Sequence, residues 1–127
     1  MRRVLVVDDH PDAAEVVCAF LRVLGHATCA ATTGEAALRE AEAFAPDLVI
    51  IDIGLPDLSG YEVARRLRVR LGPGVYLVAM TGWGQPADRA SALAAGFDRH
   101  VVKPPDAAKL TELIAAADQA RDATTPG

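Results

Sequence analysis

Only two cysteines occur in the 127 residues, Cys18 and Cys29. They form no CxxC pair and have no histidine at metal-ligand spacing, so reduced, buried thiols are expected in place of a disulfide or a zinc site. Long apolar runs are also missing. Hydrophobic residues make up 51% of the chain, yet no stretch approaches the roughly 20 residues of a membrane span, and no membrane insertion by this chain is expected. Met1-Arg2-Arg3 leads into only four apolar residues before Asp8, without the longer apolar region and small-residue cleavage site of a secretory signal. The expected location is cytoplasmic. Neither G-x-G-x-x-G nor a P-loop is present, which removes dinucleotide and NTP binding. Positive charge is in deficit at a formal net −4, against direct nucleic-acid binding, since phosphate backbones are held by clustered Lys and Arg. The local run Arg65, Arg66, Arg68 and Arg70 has no interleaved aromatics for base stacking and reads as the solvated face of a helix.

What is present is a repeating order of elements in one domain of ordinary size. Val4 to Val7 reads as a strand. Pro11 suits the first turn of a helix capped by Asp9 or His10, with Val17, Phe20, Leu21 and Leu24 on its apolar face and Gly25 at its end. A weak strand from His26 to Ala31 precedes Thr32 and Glu35, which fit a capping box, and an Ala-rich helix that stops before Pro46. A third strand, Asp47 to Asp52, leads through a Gly/Pro-rich loop to a helix from about Tyr61 to Leu71, carrying Val63, Ala64, Leu67 and Leu71 inward. Gly72-Pro73-Gly74 breaks the chain before a fourth strand ending at Thr81. After a second Ala-rich helix ending near Gly96, a fifth strand covers roughly Phe97 to Val102. Asp106 then caps a helix bearing Leu110, Leu113, Ile114 and Ala117.

Five β-α units with short, right-handed crossovers predict an α/β doubly wound parallel sheet. The nearly unbroken apolar character of the strands fits a sheet covered by helices on both faces. Residues 1–120 are expected to form the domain and 121–127 a short tail or linker, with nothing left over for a second domain.

In such a sheet Asp8, Asp9, Asp52, Thr81 and Lys103 all emerge at one edge, where open α/β sheets bind ligands. Each alone has a plainer account as a helix cap, turn residue or snorkelling lysine. Together the plain accounts require a coincidence at the same end of four strands. Carboxylates about 4 Å apart repel by several kcal/mol at intermediate dielectric, and a cation must offset that. Mg²⁺ suits hard oxygen ligands and commonly bridges carboxylates to phosphate. Asp8 and Asp9 can both reach such an ion, while Asp52 retains an oxygen able to attack phosphorus. Lys103 and Thr81 would serve the phosphoryl oxygens.

The segments Val-Leu-Val-Val-Asp-Asp (4–9), Ile-Asp-Ile-Gly-Leu-Pro-Asp-Leu-Ser-Gly (51–60), Ala-Met-Thr-Gly (79–82) and Val-Val-Lys-Pro (101–104) resemble, in order and spacing, the receiver (response-regulator) domains of two-component signalling. The resemblance implies a flavodoxin-like (βα)5 fold with strand order 2-1-3-4-5. It implies Asp52 as phosphoacceptor, Asp8 and Asp9 as the acidic metal pair, and the backbone carbonyl of Gly54 as a further Mg²⁺ ligand. It makes Thr81 the switch hydroxyl, Lys103 the phosphate contact, and the Lys103–Pro104 bond cis. Implied partners are a histidine kinase or histidine phosphotransfer domain. The implied activity is a signalling one, limited to the chain's own phosphorylation and dephosphorylation.

The chain departs from the family where receivers often carry Tyr or Phe on the fifth strand. His100 stands there; either it stays exposed and takes no part, or a switch through it favours the neutral ring and weakens below about pH 6.5, the reference imidazole value. Gly54 offers no side chain to orient a hydrolytic water, and Trp83 either covers the site or packs on its loop. The stretch from Thr81 to Pro104 is similar to receivers attached to hybrid sensor kinases. Two rivals are a degenerate receiver acting as an interaction module and an Asp-nucleophile phosphohydrolase of the haloacid-dehalogenase type. The second lacks its D-x-D motif, since Asp52-Ile53-Gly54 has no second Asp.

Overall fold

The computed structural model describes residues 2–82 and 94–124. Trp83 and most of the Ala-rich helix expected before Gly96 lie outside them. The described elements run β1 (Arg3–Val7), α1 (Pro11–Val23), β2 (Ala27–Ala31), α2 (Gly34–Phe44), β3 (Leu48–Asp52), α3 (Gly60–Leu71), β4 (Tyr76–Thr81), β5 (Arg99–Val102) and α4 (Ala107–Thr124). All strand pairs are parallel, in the order β2-β1-β3-β4-β5. That is the order the resemblance implies.

Strand alternation divides the core in two. Leu5, Val7, Val49, Ile51, Leu77 and Ala79 pack with α2 and α3 on one face. Val4, Val6, Leu48, Ile50, Val78 and Met80 pack with α1 and α4 on the other. Because both faces are covered, β1 and β3 read as unbroken apolar runs and their interior positions are fully buried. Each such aliphatic side chain contributes about 1.5–3 kcal/mol by leaving water.

Local chemistry explains the element ends, with some corrections. α1 starts with Pro11 in its first turn, and His10 is its N-cap without a side-chain bond. Neither Asp9 nor His10 caps through its side chain; the His10 amide instead donates to Asp8 Oδ1. Gly25 ends the helix at φ +93°, a conformation glycine adopts without a Cβ clash. Leu24, the C-cap residue, is exposed and packs in neither core cluster. The expected Thr32–Glu35 capping box is replaced by Thr33, whose hydroxyl accepts from Ala36 N at 3.1 Å.

Arg68 also departs from expectation. Arg65, Arg66 and Arg70 are exposed, but Arg68 folds back to donate to the carbonyls of Gly72, Val75 and Gly96 and to pair with Asp98 at 3.0 Å. Asp98 Oδ2 also accepts from Leu77 N at 2.8 Å. Those carbonyls lie beyond strand or helix ends and need a multi-donor partner, which guanidinium provides. The start of β5 is thereby tied to β4 and α3. Cys18 is buried, and Cys29 is half-buried beside Glu40; both are free. No helix among the described residues is long and apolar enough to cross a membrane.

Candidate functional site

Strand register determines what meets at the carboxyl edge of the sheet. Val7 is paired with Ile51, so the residues that follow, Asp8 and Asp52, lie at the same level. Asp52 is level with Met80, and Thr81 with Val102. Lys103 follows immediately and is held there by its backbone amide, which donates to Thr81 O at 2.7 Å. The Lys103–Pro104 bond is cis, as the resemblance implies.

The side chains close on one another. Lys103 Nζ lies 2.9 Å from Asp52 Oδ2 and 3.2 Å from Asp8 Oδ1. The other oxygen of Asp52 accepts from Gly54 N at 2.9 Å. Asp8, Asp52 and Thr81 are 2%, 5% and 3% exposed, so two carboxylates are nearly dry and depend on these partners. One oxygen each from Asp8, Asp9 and Asp52 lies within 4.8 Å of the others. Three hard donors at that spacing fit a divalent cation that favours carboxylate oxygen. Thr81 reaches the same edge, but its hydroxyl donates to Val101 O at a long 3.4 Å, a weak bond easily exchanged. His100, paired in register with Ala79, is exposed.

The charges do not share their burial equally. Burial pushes the Asp52 carboxyl up, but the Lys103 ammonium and the Gly54 amide outweigh it and hold Asp52 below the usual carboxylate value. Burial pulls Lys103 down, and the two carboxylates outweigh it, raising the ammonium above its usual value. Among the described residues Asp9 is paired with no lysine or arginine, only with His10 at 3.9 Å. Burial first, then its contact with Asp52 and repulsion from both neighbouring carboxylates, raise it against a lowering by His10.

A raised carboxyl means that the folded state holds its proton more tightly than the unfolded chain. Stability therefore falls as pH rises from 3.8 through the folded value. At neutral pH the Asp9 charge is a net burden on the metal-free fold. Asp9→Asn should raise metal-free stability by about 1 kcal/mol and weaken Mg²⁺ binding. Thermal melts with and without Mg²⁺ check both; a lower metal-free Tm for the variant contradicts this account.

The structure brings Asp8, Asp9, Asp52, Thr81 and Lys103 to one edge, and two further residues with structural roles, Asp57 and Arg68, are not marked as such in the sequence. Asp57 caps the amino end of α2 from the β3–α3 loop, its oxygens 2.8 and 3.0 Å from Gly34 N and Glu35 N. Arg68 anchors the far side of the sheet. The Asp57 partners lie more than twenty residues away, and no local pattern marks such a pairing.

A family model described as the response regulator receiver domain matches residues 4–115. The transcriptional regulatory protein KdpE of Mycobacterium tuberculosis is 43% identical over 105 residues, covering 82% of this chain and 45% of that protein. The chain thus spans about half the length of the curated relatives it matches. A CheY-like response regulator receiver domain protein from Methanospirillum hungatei superimposes with a TM-score of 0.89 at 26% identity, over 98% of this chain and 99% of that one. The response regulator TrrA from Thermotoga maritima, solved in complex with Mg²⁺-BeF, gives a TM-score of 0.81 at 32% identity, over 92% and 99%.

Proposed function

Because the chain belongs to the response regulator receiver domains of two-component signalling, we propose that it accepts a phosphoryl group on Asp52 from a histidine kinase or a histidine phosphotransfer domain. Residues 1–120 form the receiver in this reading. The observation that carries it is the Lys103 ammonium bridging Asp52 and Asp8 beside a third carboxylate. Asp8, Asp9, Asp52 and the Gly54 carbonyl would hold Mg²⁺, which when bound offsets carboxylate repulsion and neutralises charge on the phosphoryl oxygens.

The chain's own groups divide the remaining work. Asp52, held ionised by Lys103 and the Gly54 amide, is the nucleophile that attacks phosphorus as the bond to the donor imidazole breaks. Lys103 turns from its carboxylate partners to the phosphoryl oxygens. Thr81 gives up its long bond to Val101 O and donates to the phosphoryl group, and His100 turns inward from its exposed position. The chemistry is confined to the chain's own phosphorylation and dephosphorylation, and Gly54 contributes no side chain to the latter. Output is proposed to be transcriptional, by likeness to a transcriptional regulatory protein of which the match covers 45%. The similarity of Thr81–Pro104 to kinase-attached receivers favours a hybrid kinase as the second reading.

Titration with beryllofluoride and Mg²⁺, followed by backbone NMR, tests the acceptor. Shifts are expected at Asp52, Thr81 and His100 in the wild type, with larger ones on β5 in His100→Tyr. No shift at saturating beryllofluoride and Mg²⁺ identifies a degenerate receiver, and identical shifts in both proteins remove His100 from the switch.

A further inference from the structure

The loop that follows the acceptor is closed at its stem and pinned at its tip. At the stem, Gly60 N donates to Ile53 O at 3.1 Å. A Cβ on Gly60 would lie 2.5 Å from Ile53 Cα and 2.7 Å from Asp52 O, so the loop's return packs directly against the acceptor's backbone. At the tip, Asp57 takes the amides of Gly34 and Glu35 on its two oxygens, at 2.8 and 3.0 Å. The approach is close: a Cβ on Gly34 would lie 2.8 Å from Leu58 Cβ and 2.9 Å from Val63 Cγ2. Those two amides are the first orphan donors of α2, which Thr33, bound to Ala36 N, leaves unserved. Gly54 lies between stem and tip, with its amide on Asp52 Oδ1.

We infer that Asp57 is a positioning residue for the acceptor site, clamping the β3–α3 loop to the amino end of α2 so that Gly54 keeps its amide on Asp52, beside the carboxylates that would hold Mg²⁺. The inference rests on the acceptor reading of Asp52 and adds a residue that acts only through Gly54. The two helix amides hold the Asp57 carboxyl below its usual value, so the clamp is charged at neutral pH. Without it, the α2 amides turn to water and the loop tip is freed, while the stem at Gly60 stays shut. The fold persists and the position of Gly54 loosens.

Thr33→Ala removes the other cap of the same helix end without touching the loop, and it separates positioning from simple helix stability. Amide hydrogen exchange in the metal-free protein, and Mg²⁺ titration followed by NMR, are measured for wild type, Asp57→Ala, Asp57→Asn and Thr33→Ala. Asp57→Ala should speed exchange at Gly54 and weaken Mg²⁺ binding, each by about three- to tenfold, equivalent to about 0.6–1.4 kcal/mol. Asp57→Asn, with one acceptor oxygen, should fall between. Thr33→Ala should lower Tm while leaving Gly54 exchange and Mg²⁺ affinity within about twofold of wild type. Unchanged Gly54 exchange in Asp57→Ala, or an equal change in Thr33→Ala, overturns the inference. A wild type that binds no Mg²⁺ overturns the acceptor reading instead, and the metal-free exchange still reports on the clamp.

Discussion

Asp52→Ala is expected to abolish phosphorylation by acetyl phosphate and Mg²⁺, lowering incorporation by at least about a hundredfold. Asp52 ends the central strand β3, and Lys103 and the Gly54 amide keep it ionised and oriented. Asp8 is equally buried and also bound to Lys103, but it stands next to Asp9 in the adjacent acidic pair that would hold Mg²⁺. The substitution also relieves carboxylate repulsion, so the variant should remain folded and the loss should be chemical. Peptide mapping by mass spectrometry after labelling reads the result, with a thermal melt as control. Labelling that continues at wild-type stoichiometry in Asp52→Ala would remove the assignment.

Lys103→Met should be the most destabilising change at the site, lowering metal-free stability by about 3 kcal/mol at neutral pH. The side chain is nearly isosteric, so the effect isolates the charge. Asp8 and Asp52, whose side chains are 3% and 7% exposed, would lose the ammonium that offsets their burial. The pH dependence has a defined sign. In the wild type, Asp52 is depressed, so its contribution is present above 3.8 and is lost as pH falls through the lower folded value. Lys103 is raised, so its contribution is complete below 10.5 and is lost as pH rises through the higher folded value. In the variant, burial of Asp52 is unopposed by a cation, and acid relieves it. The difference between the two proteins should therefore be widest near neutrality and narrow toward both pH 4 and the far alkaline range. Denaturant unfolding across pH measures it. Mg²⁺ should restore part of the lost stability at neutral pH, and a difference that is constant with pH would mean that the ion pair carries none of it.

The edge residues were legible because parallel-strand physics writes itself into short words. A run such as Val4–Val7 has to be apolar throughout, since both faces are covered, and the first polar residue after it marks the end of the strand. With four such runs in the chain, one edge collects their endings. Local caps were legible to within a residue: Gly25 and Asp106 act as expected, while Thr33 and Thr32 are both plausible caps and only the backbone turn selects between them. The roles of Asp57 and Arg68 could not be read. Each serves orphan backbone groups brought near by tertiary packing, and a backbone amide or carbonyl leaves no trace in the sequence of its partner.

β5 is held at both ends. Its entry is pegged by Asp98, which joins Leu77 N to the Arg68 guanidinium. Its exit is pegged by the Lys103 amide on Thr81 O and by the Lys103 ammonium on the carboxylates. A string fixed at both ends responds to a pull at one end only along its span. In the proposed switch, Lys103 would leave its carboxylates while the Arg68 contacts hold the strand entry, so displacement would collect in Arg99–Val102, where His100 and Val102 are exposed. An anchor remote from the chemistry would then set which stretch of surface carries the message.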